Sequence, residues 1–119
     1  MTDAVTIYHN PRCSKSRETL SLLKANGIEP QVVLYLDTPA DAATLQSLLT
    51  MLGMSSAREL MRQKEDLYKS LDLGDSQLSE NALIQALVDH PKLMERPIVV
   101  AKGQARIGRP PEQVLEIVS

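Results

Sequence analysis

The stretch VTIYHNPRCS, residues 5–14, decides the fold of this 119-residue chain. Its first four residues alternate and predict a short strand, and Asn10-Pro11 is a turn signal. A helix is predicted from about Ser14 to Asn26, with Gly27 as its stop. Gln31–Leu36 is rich in Val and Leu and predicts a buried strand. The first 36 residues therefore predict a β-α-β unit, whose crossover is long enough for parallel strands.

The middle of the chain has the spacing of helices. Thr38-Pro39 predicts a helix N-cap followed by proline, and leucines spaced i, i+3, i+4 and i+7 lead to Gly53. Ser56–Glu59 predicts a capping box at the start of a second helix. Ser79 opens another helix, which is predicted to end at His90-Pro91.

The pattern changes again at the end of the chain. Pro97–Ala101 is an apolar run, Lys102-Gly103 is a two-residue turn signal, and Gln104–Ile107 alternates. These three segments predict a β-hairpin. Pro110-Pro111 then leads a last helix.

The element order is β-α-β, a block of helices, then β-β-α, with no internal repeat or linker. A length of 119 residues fits one domain, since domains most often have about 100–150 residues. We therefore expect a single α/β domain over residues 1–119, in which the helical block at about 38–93 is an insertion.

The composition excludes several classes of function. A net charge of −2 and an aromatic content of 3% provide no argument for nucleic-acid binding. A single cysteine excludes an intramolecular disulfide and a Cys-based zinc site, and the 2 histidines show no metal-ligand spacing. The sequence has no evident signal peptide and no apolar run near the ~20 residues of a membrane helix. We expect a soluble cytoplasmic protein without metal, membrane or nucleic-acid partner.

Cys13 is the first candidate for chemistry, because it follows a strand and a turn at the start of a predicted helix. The first turn of a helix offers unpaired N–H groups and a partial positive charge, and both stabilise a thiolate. The same groups can hold an oxyanion, so the loop predicts a nucleophile aimed at an oxyanion substrate. His9 lies four residues back and could share a hydrogen bond with the sulfur.

The Cys13 loop is rich in polar side chains. Arg12, Lys15 and Arg17 add positive charge near the thiol. The hydroxyl groups of Ser14 and Ser16 can donate to a bound oxyanion, and we take Ser16 and Arg17 as candidates for substrate binding.

Two familiar thiol motifs are absent from this loop. A thioredoxin-type dithiol has the form Cys-x-x-Cys, but the fourth position here is Ser16. Protein tyrosine phosphatases place their loop arginine further from the cysteine than Arg17 lies from Cys13. A thiol enzyme with this loop must take its second sulfur from another molecule.

Three distant arginines, Arg62, Arg96 and Arg109, are further candidates for the oxyanion pocket. Arg62 is predicted at the end of a helix, and Arg96 directly precedes Pro97 at the start of the hairpin, where it can face the first helix. A guanidinium fork suits a tetrahedral oxyanion through two parallel hydrogen bonds. The alternative for each arginine is a surface salt bridge. Composition does not distinguish Arg58 and Arg106 from these three candidates.

Four segments carry a resemblance to a known family: HNPRCSKSR at 9–17, VLYL at 33–36, ERPIVV at 95–100 and GRPP at 108–111. Together they resemble the glutaredoxin-coupled arsenate reductase family, most closely its short bacterial branch. The resemblance implies a thioredoxin-like fold, with β-α-β and β-β-α halves around a mixed four-stranded sheet. It also implies a cis peptide bond between Arg96 and Pro97.

The resemblance further implies a reaction. Cys13 would attack arsenate to give a cysteine-bound thioarsonate, with glutathione as co-substrate and no tightly bound cofactor. Glutathione would attack that adduct, and glutaredoxin would resolve the glutathionylated species, with release of arsenite. The arginine triad of the family corresponds to Arg62, Arg96 and Arg109, and its loop histidine, thought to help ionise the cysteine, corresponds to His9.

Two other functions stay open. Related thioredoxin-like regulators bind RNA polymerase and carry a segment like Arg96-Pro97-Ile98, but they often have Cys-x-x-Cys and typically lack an arginine at the position of Arg109. A monothiol glutaredoxin-like module could exchange glutathione at Cys13. That module does not need the arginine triad, so arginine variants discriminate it from an arsenate reductase.

Overall fold

The computed structural model describes residues 4–118. Its strands are β1 (Val5–Tyr8), β2 (Gln31–Val33), β3 (Ile98–Ala101) and β4 (Gln104–Ile107). Its α-helices are α1 (Ser14–Ala25), α2 (Ala42–Leu52), α3 (Asp66–Ser70), α4 (Glu80–Asp89) and α5 (Leu115–Val118). Short 3₁₀ turns occupy Ala57–Leu60, Pro91–Leu93 and Pro111–Val114.

The described residues form two compact units. The sheet unit takes the described part of Met1–Thr38 and Arg96–Ser119, and the helical unit is Pro39–Glu95. The helical unit corresponds to the helical block expected at about 38–93. Its assignment as an insertion within one domain stays a prediction.

The sheet unit contains a four-stranded sheet in the order β2-β1-β3-β4 within residues 4–118. β1 pairs with β2 in parallel, and the other two pairs are antiparallel. The mixed sheet and its β-α-β and β-β-α halves are confirmed, and they form a thioredoxin-like fold. Ile7, Leu23, Val99 and Val114 are completely buried and join α1 and the C-terminal 3₁₀ turn to the sheet. This core holds the β1–α1 loop, and therefore Cys13, just beyond the end of β1, an inner strand of the sheet.

The second strand differs from the expectation of a buried strand over Gln31–Leu36. β2 ends at Val33, and the side chains of Val32, Leu34 and Leu36 are 42%, 38% and 42% exposed. The strand ends because the N–H groups of Asp37 and Thr38 both donate to the Leu34 carbonyl, which closes a turn. Val32 is on an edge strand, which has a neighbouring strand on one side only, whereas Leu34 and Leu36 lie beyond the end of β2.

The structure differs in part from the helix starts predicted in the helical unit. The N-cap of α2 is Asp41, not Thr38, because the Asp41 carboxylate accepts a hydrogen bond of 2.8 Å from Thr44 N–H. The capping box at Ser56–Glu59 forms as predicted, but the helix it opens is only a 3₁₀ turn. Met61 is extended and bridges to Met94, so Arg62 follows an extended residue and not a helix end.

Other local predictions are confirmed. α1 begins at Ser14, the Ser79 side chain caps α4, and the hairpin of β3 and β4 turns at Lys102-Gly103. The peptide bond between Arg96 and Pro97 is cis, and so is the bond between Arg109 and Pro110. In the part of the chain that the structure describes, no helix combines the length and apolar character needed to cross a bilayer.

Candidate active site

Cys13 is the N-cap residue of α1, as the sequence predicts. Its backbone is extended, and its N–H donates to the Asn10 carbonyl at 3.0 Å. The backbone N–H groups of Lys15 and Ser16 are directed at the half-buried sulfur. The helix start therefore presents its unpaired donors to the thiol.

The pKa of the Cys13 thiol is lowered from its ordinary value. Partial burial is the largest single influence and opposes ionisation. It is outweighed by the sum of the Ser16 N–H, the charge of Arg96, the Lys15 N–H and the charge of Arg109. The fold therefore favours the thiolate, the nucleophilic form of cysteine.

Two of the three predicted arginines, Arg96 and Arg109, lower the pKa of the Cys13 thiol through their charge. Arg109 Nη2 lies 3.6 Å from Cys13 Sγ, and Arg109 Nε donates to the Arg96 carbonyl at 2.8 Å. Arg96 Nε is buried and has no hydrogen-bond partner among the described residues. A buried donor without a partner costs free energy, so this atom is suited to an acceptor on a ligand.

Gly108 positions Arg109, and sequence reasoning did not predict this role. A Cβ atom on Gly108 would lie 2.5 Å from Thr19 Oγ1 and 2.9 Å from Pro97 Cγ. Its N–H donates to the Pro97 carbonyl at 2.9 Å. Only glycine lets the chain pass between these two side chains. The available signal was a glycine directly after a predicted strand.

His9 is buried and bonded to the loop and not to the sulfur. Its Nδ1 lies 2.6 Å from Ser16 Oγ, which also accepts from Asn10 N–H at 3.0 Å. Burial first, and then the charge of Arg17, lower the pKa of His9 from its ordinary value. We therefore expect a neutral imidazole that positions Ser16. The expected hydrogen bond from His9 to the sulfur is not made in this structure.

The other residues of the Cys13 loop form hydrogen bonds within the loop. Arg17 Nη1 donates to the Pro11 carbonyl at 2.9 Å. Asn10 Oδ1 accepts from Arg12 N–H at 3.0 Å, a turn that the Asn-Pro signal could have indicated. Ser16 is completely buried. The substrate-binding roles of Ser16 and Arg17 stay predictions.

Arg62 belongs to the helical unit. Its Nη1 forms an ion pair of 2.9 Å with Glu65, and its N–H donates to the Leu93 carbonyl at 2.7 Å. Its role in substrate binding stays a prediction. No group of three or more His, Cys, Asp or Glu side chains suited to a metal ion occurs among residues 4–118.

Comparison with known proteins identifies the family. The ArsC family model matches residues 8–117. YfgD, an uncharacterized protein of Escherichia coli K12, is 81% identical over 118 residues, 99% of each chain. An arsenate reductase of Neisseria meningitidis serogroup A is 54% identical over 92% of this chain and 94% of its own. The solved structure of the arsenate reductase from Vibrio cholerae superposes with a TM-score of 0.96 and 61% identity, over 98% of this chain and 99% of that one. The chain belongs to the ArsC family.

Proposed function

We propose that this protein reduces arsenate to arsenite in the cytoplasm, with glutathione and glutaredoxin as electron donors and no tightly bound cofactor. The observation that carries the proposal is the Cys13 sulfur, 3.6 Å from Arg109 Nη2 and within the charge field of Arg96. The positive groups that stabilise the thiolate can also bind a tetrahedral oxyanion. The names of the relatives from Neisseria and Vibrio support arsenate as that oxyanion.

The first step is nucleophilic. The Cys13 thiolate attacks arsenic and forms a sulfur–arsenic bond, while a hydroxyl group of arsenate takes up one proton from solvent and leaves as water. Arsenic stays in the +5 state in this thioarsonate adduct. Arg96 and Arg109 neutralise the remaining arsenate oxygens, and the free Nε of Arg96 gains an acceptor. Arg62 is proposed as a third arginine for the same anion.

The second step transfers two electrons. The glutathione thiolate attacks the Cys13 sulfur, a disulfide bond forms, and the sulfur–arsenic bond breaks with its electron pair on arsenic. Arsenic is thereby reduced to the +3 state and leaves as arsenite after protonation. A glutaredoxin thiolate then attacks the glutathione sulfur, which regenerates Cys13. The external thiols are required because Cys13 is the single cysteine of the chain.

An arsenite-formation assay with arsenate, glutathione, glutaredoxin and a system that recycles oxidised glutathione tests this function. We expect Cys13→Ser to abolish the activity, because serine is a far weaker nucleophile at neutral pH. Arg106→Gln is the control variant, and we expect it to form arsenite as the wild type does. Arg106 belongs to the same unit, and its ion pair with Glu116 at 2.9 Å is exposed enough to contribute little.

Two results would contradict the proposal in different ways. Arsenite formation that persists in Cys13→Ser would overturn the mechanism. A wild-type protein that forms no arsenite, although Cys13 is alkylated as a thiolate, would overturn arsenate as the substrate.

A further inference from the structure

A cleft of about 390 Å³ lies beside the loop that leads into Cys13. One wall is the chain segment from His9 to Arg12, and the other consists of Leu34, Leu36 and Asp37. Its volume lies within the range of small-molecule sites, about 300–1,000 Å³. The steps of the proposed reaction assign no role to the residues of this cleft.

Backbone hydrogen bonds hold the two walls. His9 N–H donates to the Val33 carbonyl at 2.9 Å, which ties the loop to the end of β2. Asp37 N–H donates to the Leu34 carbonyl at 2.9 Å, which fixes the turn that forms the second wall. On the first wall, Asn10 Oδ1 accepts from Arg12 N–H at 3.0 Å. The cleft is therefore preformed, which reduces the entropy lost on binding a ligand.

The lining of the cleft combines apolar surface with one charge of each sign. Leu34 and Leu36 are 38% and 42% exposed, although both are apolar. Arg12 and Asp37 are exposed. Within residues 4–118, neither charged side chain belongs to an ion pair of the structure. A complementary ligand would have a carboxylate, an ammonium group and an apolar part between them.

We propose that this cleft is the binding site for the thiol co-substrate, a zwitterionic thiol peptide of the glutathione class. One of its two carboxylates pairs with Arg12, its ammonium group pairs with Asp37, and its backbone lies over the two leucines. Arg12 precedes Cys13 in the chain, so a peptide held on Arg12 lies beside the loop that carries the sulfur, and its thiol is assigned to the Cys13 side of the cleft. The role of that thiol as a reductant rests on the proposed function, and its reaction is the disulfide-forming step described above.

The test measures binding without arsenate and without a reactive thiol. We expect S-methylglutathione to bind the full chain saturably in an NMR titration, with shifts concentrated at residues 9–12 and 34–37. Arg12→Gln and Asp37→Asn should each weaken binding about fivefold or more, as expected for a lost charged hydrogen bond. The matched controls Lys24→Gln and Glu29→Gln remove exposed charges of the same unit and should leave the affinity unchanged.

A second ligand separates the two charge contacts. The dimethyl ester of S-methylglutathione lacks both carboxylates but keeps the ammonium group. We expect it to bind more weakly than the parent, to be insensitive to Arg12→Gln, and to remain sensitive to Asp37→Asn. Equal sensitivity of both ligands to Arg12→Gln would overturn the assigned orientation.

Failure of this inference is distinguishable from failure of the proposed function. If S-methylglutathione does not bind, or if its shifts cluster away from the cleft, the proposed site is wrong even when glutathione supports arsenate reduction. If it binds as expected while the wild type forms no arsenite, the thiol-peptide site stands and arsenate reduction falls.

Discussion

Arg58 in the helical unit donates to oxygens of the protein, whereas Arg96 in the sheet unit has a buried donor without a partner among residues 4–118. In the helical unit, Arg58 donates from Nε to the Leu73 carbonyl and from Nη2 to the Asp75 carbonyl, each at 3.0 Å. Arg62 is paired with Glu65 at 2.9 Å. These contacts connect separate segments of the helical unit.

In the sheet unit, Arg109 uses Nε for a carbonyl and directs Nη2 to Cys13 Sγ. Arg96 keeps a buried Nε without a partner among the described residues. Proteins satisfy nearly all buried polar atoms, so the contrast separates Arg58, which holds the fold, from Arg96, whose buried Nε is suited to an acceptor on a ligand. The predictions below test that separation.

The largest effect is expected for Arg96→Gln and Arg109→Gln. Each removes a charge that stabilises both the Cys13 thiolate and the bound oxyanion. We expect arsenate reduction to fall about 10²–10³-fold, as when one preorganised donor is removed from an oxyanion site. The pH profile of Cys13 alkylation should move to higher pH, because each arginine lowers the pKa of Cys13.

The same two variants decide between an arsenate reductase and a monothiol module. Removal of glutathione from a glutathionylated peptide does not require an oxyanion pocket, so we expect it to fall much less than arsenate reduction. Equal losses in both activities would favour the monothiol module. Arg106→Gln should change neither activity.

A smaller effect, on stability alone, is expected for Arg58→Ala. The change leaves the carbonyls of Leu73 and Asp75 without their guanidinium donor, which should lower the free energy of unfolding by about 1–3 kcal/mol. Urea denaturation measures this change. Cys13 alkylation should keep its pH profile, and a shifted profile would contradict a purely structural role for Arg58.

The smallest effect concerns His9 and appears only in acid. Because its pKa is lowered in the folded state, the native protein binds fewer protons than the unfolded chain below the ordinary pKa of histidine. Its contribution to stability is therefore complete above the unfolded pKa and is lost as pH falls through the folded pKa. In His9→Gln we expect a shallower loss of unfolding free energy over this range. An unchanged pH slope would contradict a buried neutral His9.

Local sequence determined the elements whose signals are satisfied by near neighbours. Three examples depend on contacts between residues that are close together in the chain: the strand-turn-helix at Cys13, the Ser79 cap and the Lys102-Gly103 hairpin. Predictions were wrong where local signals competed or where neighbours in space decided. Asp41 and not Thr38 caps α2, and β2 ends at Val33, so Leu34 and Leu36 lie outside the sheet.

The candidate site divides in the same way. The residues alone indicated an activated thiol at Cys13, because a helix start and its charges are adjacent in the chain. Only the tertiary structure placed Arg109, 96 positions away, at 3.6 Å from the sulfur and joined His9 to Ser16. The antiparallel pairing of β1 with β3, and of β3 with β4, brings the segment that leads into Arg109 back to the β1–α1 region. Such long-range distances depend on strand pairing and side-chain packing, which no short stretch of sequence specifies.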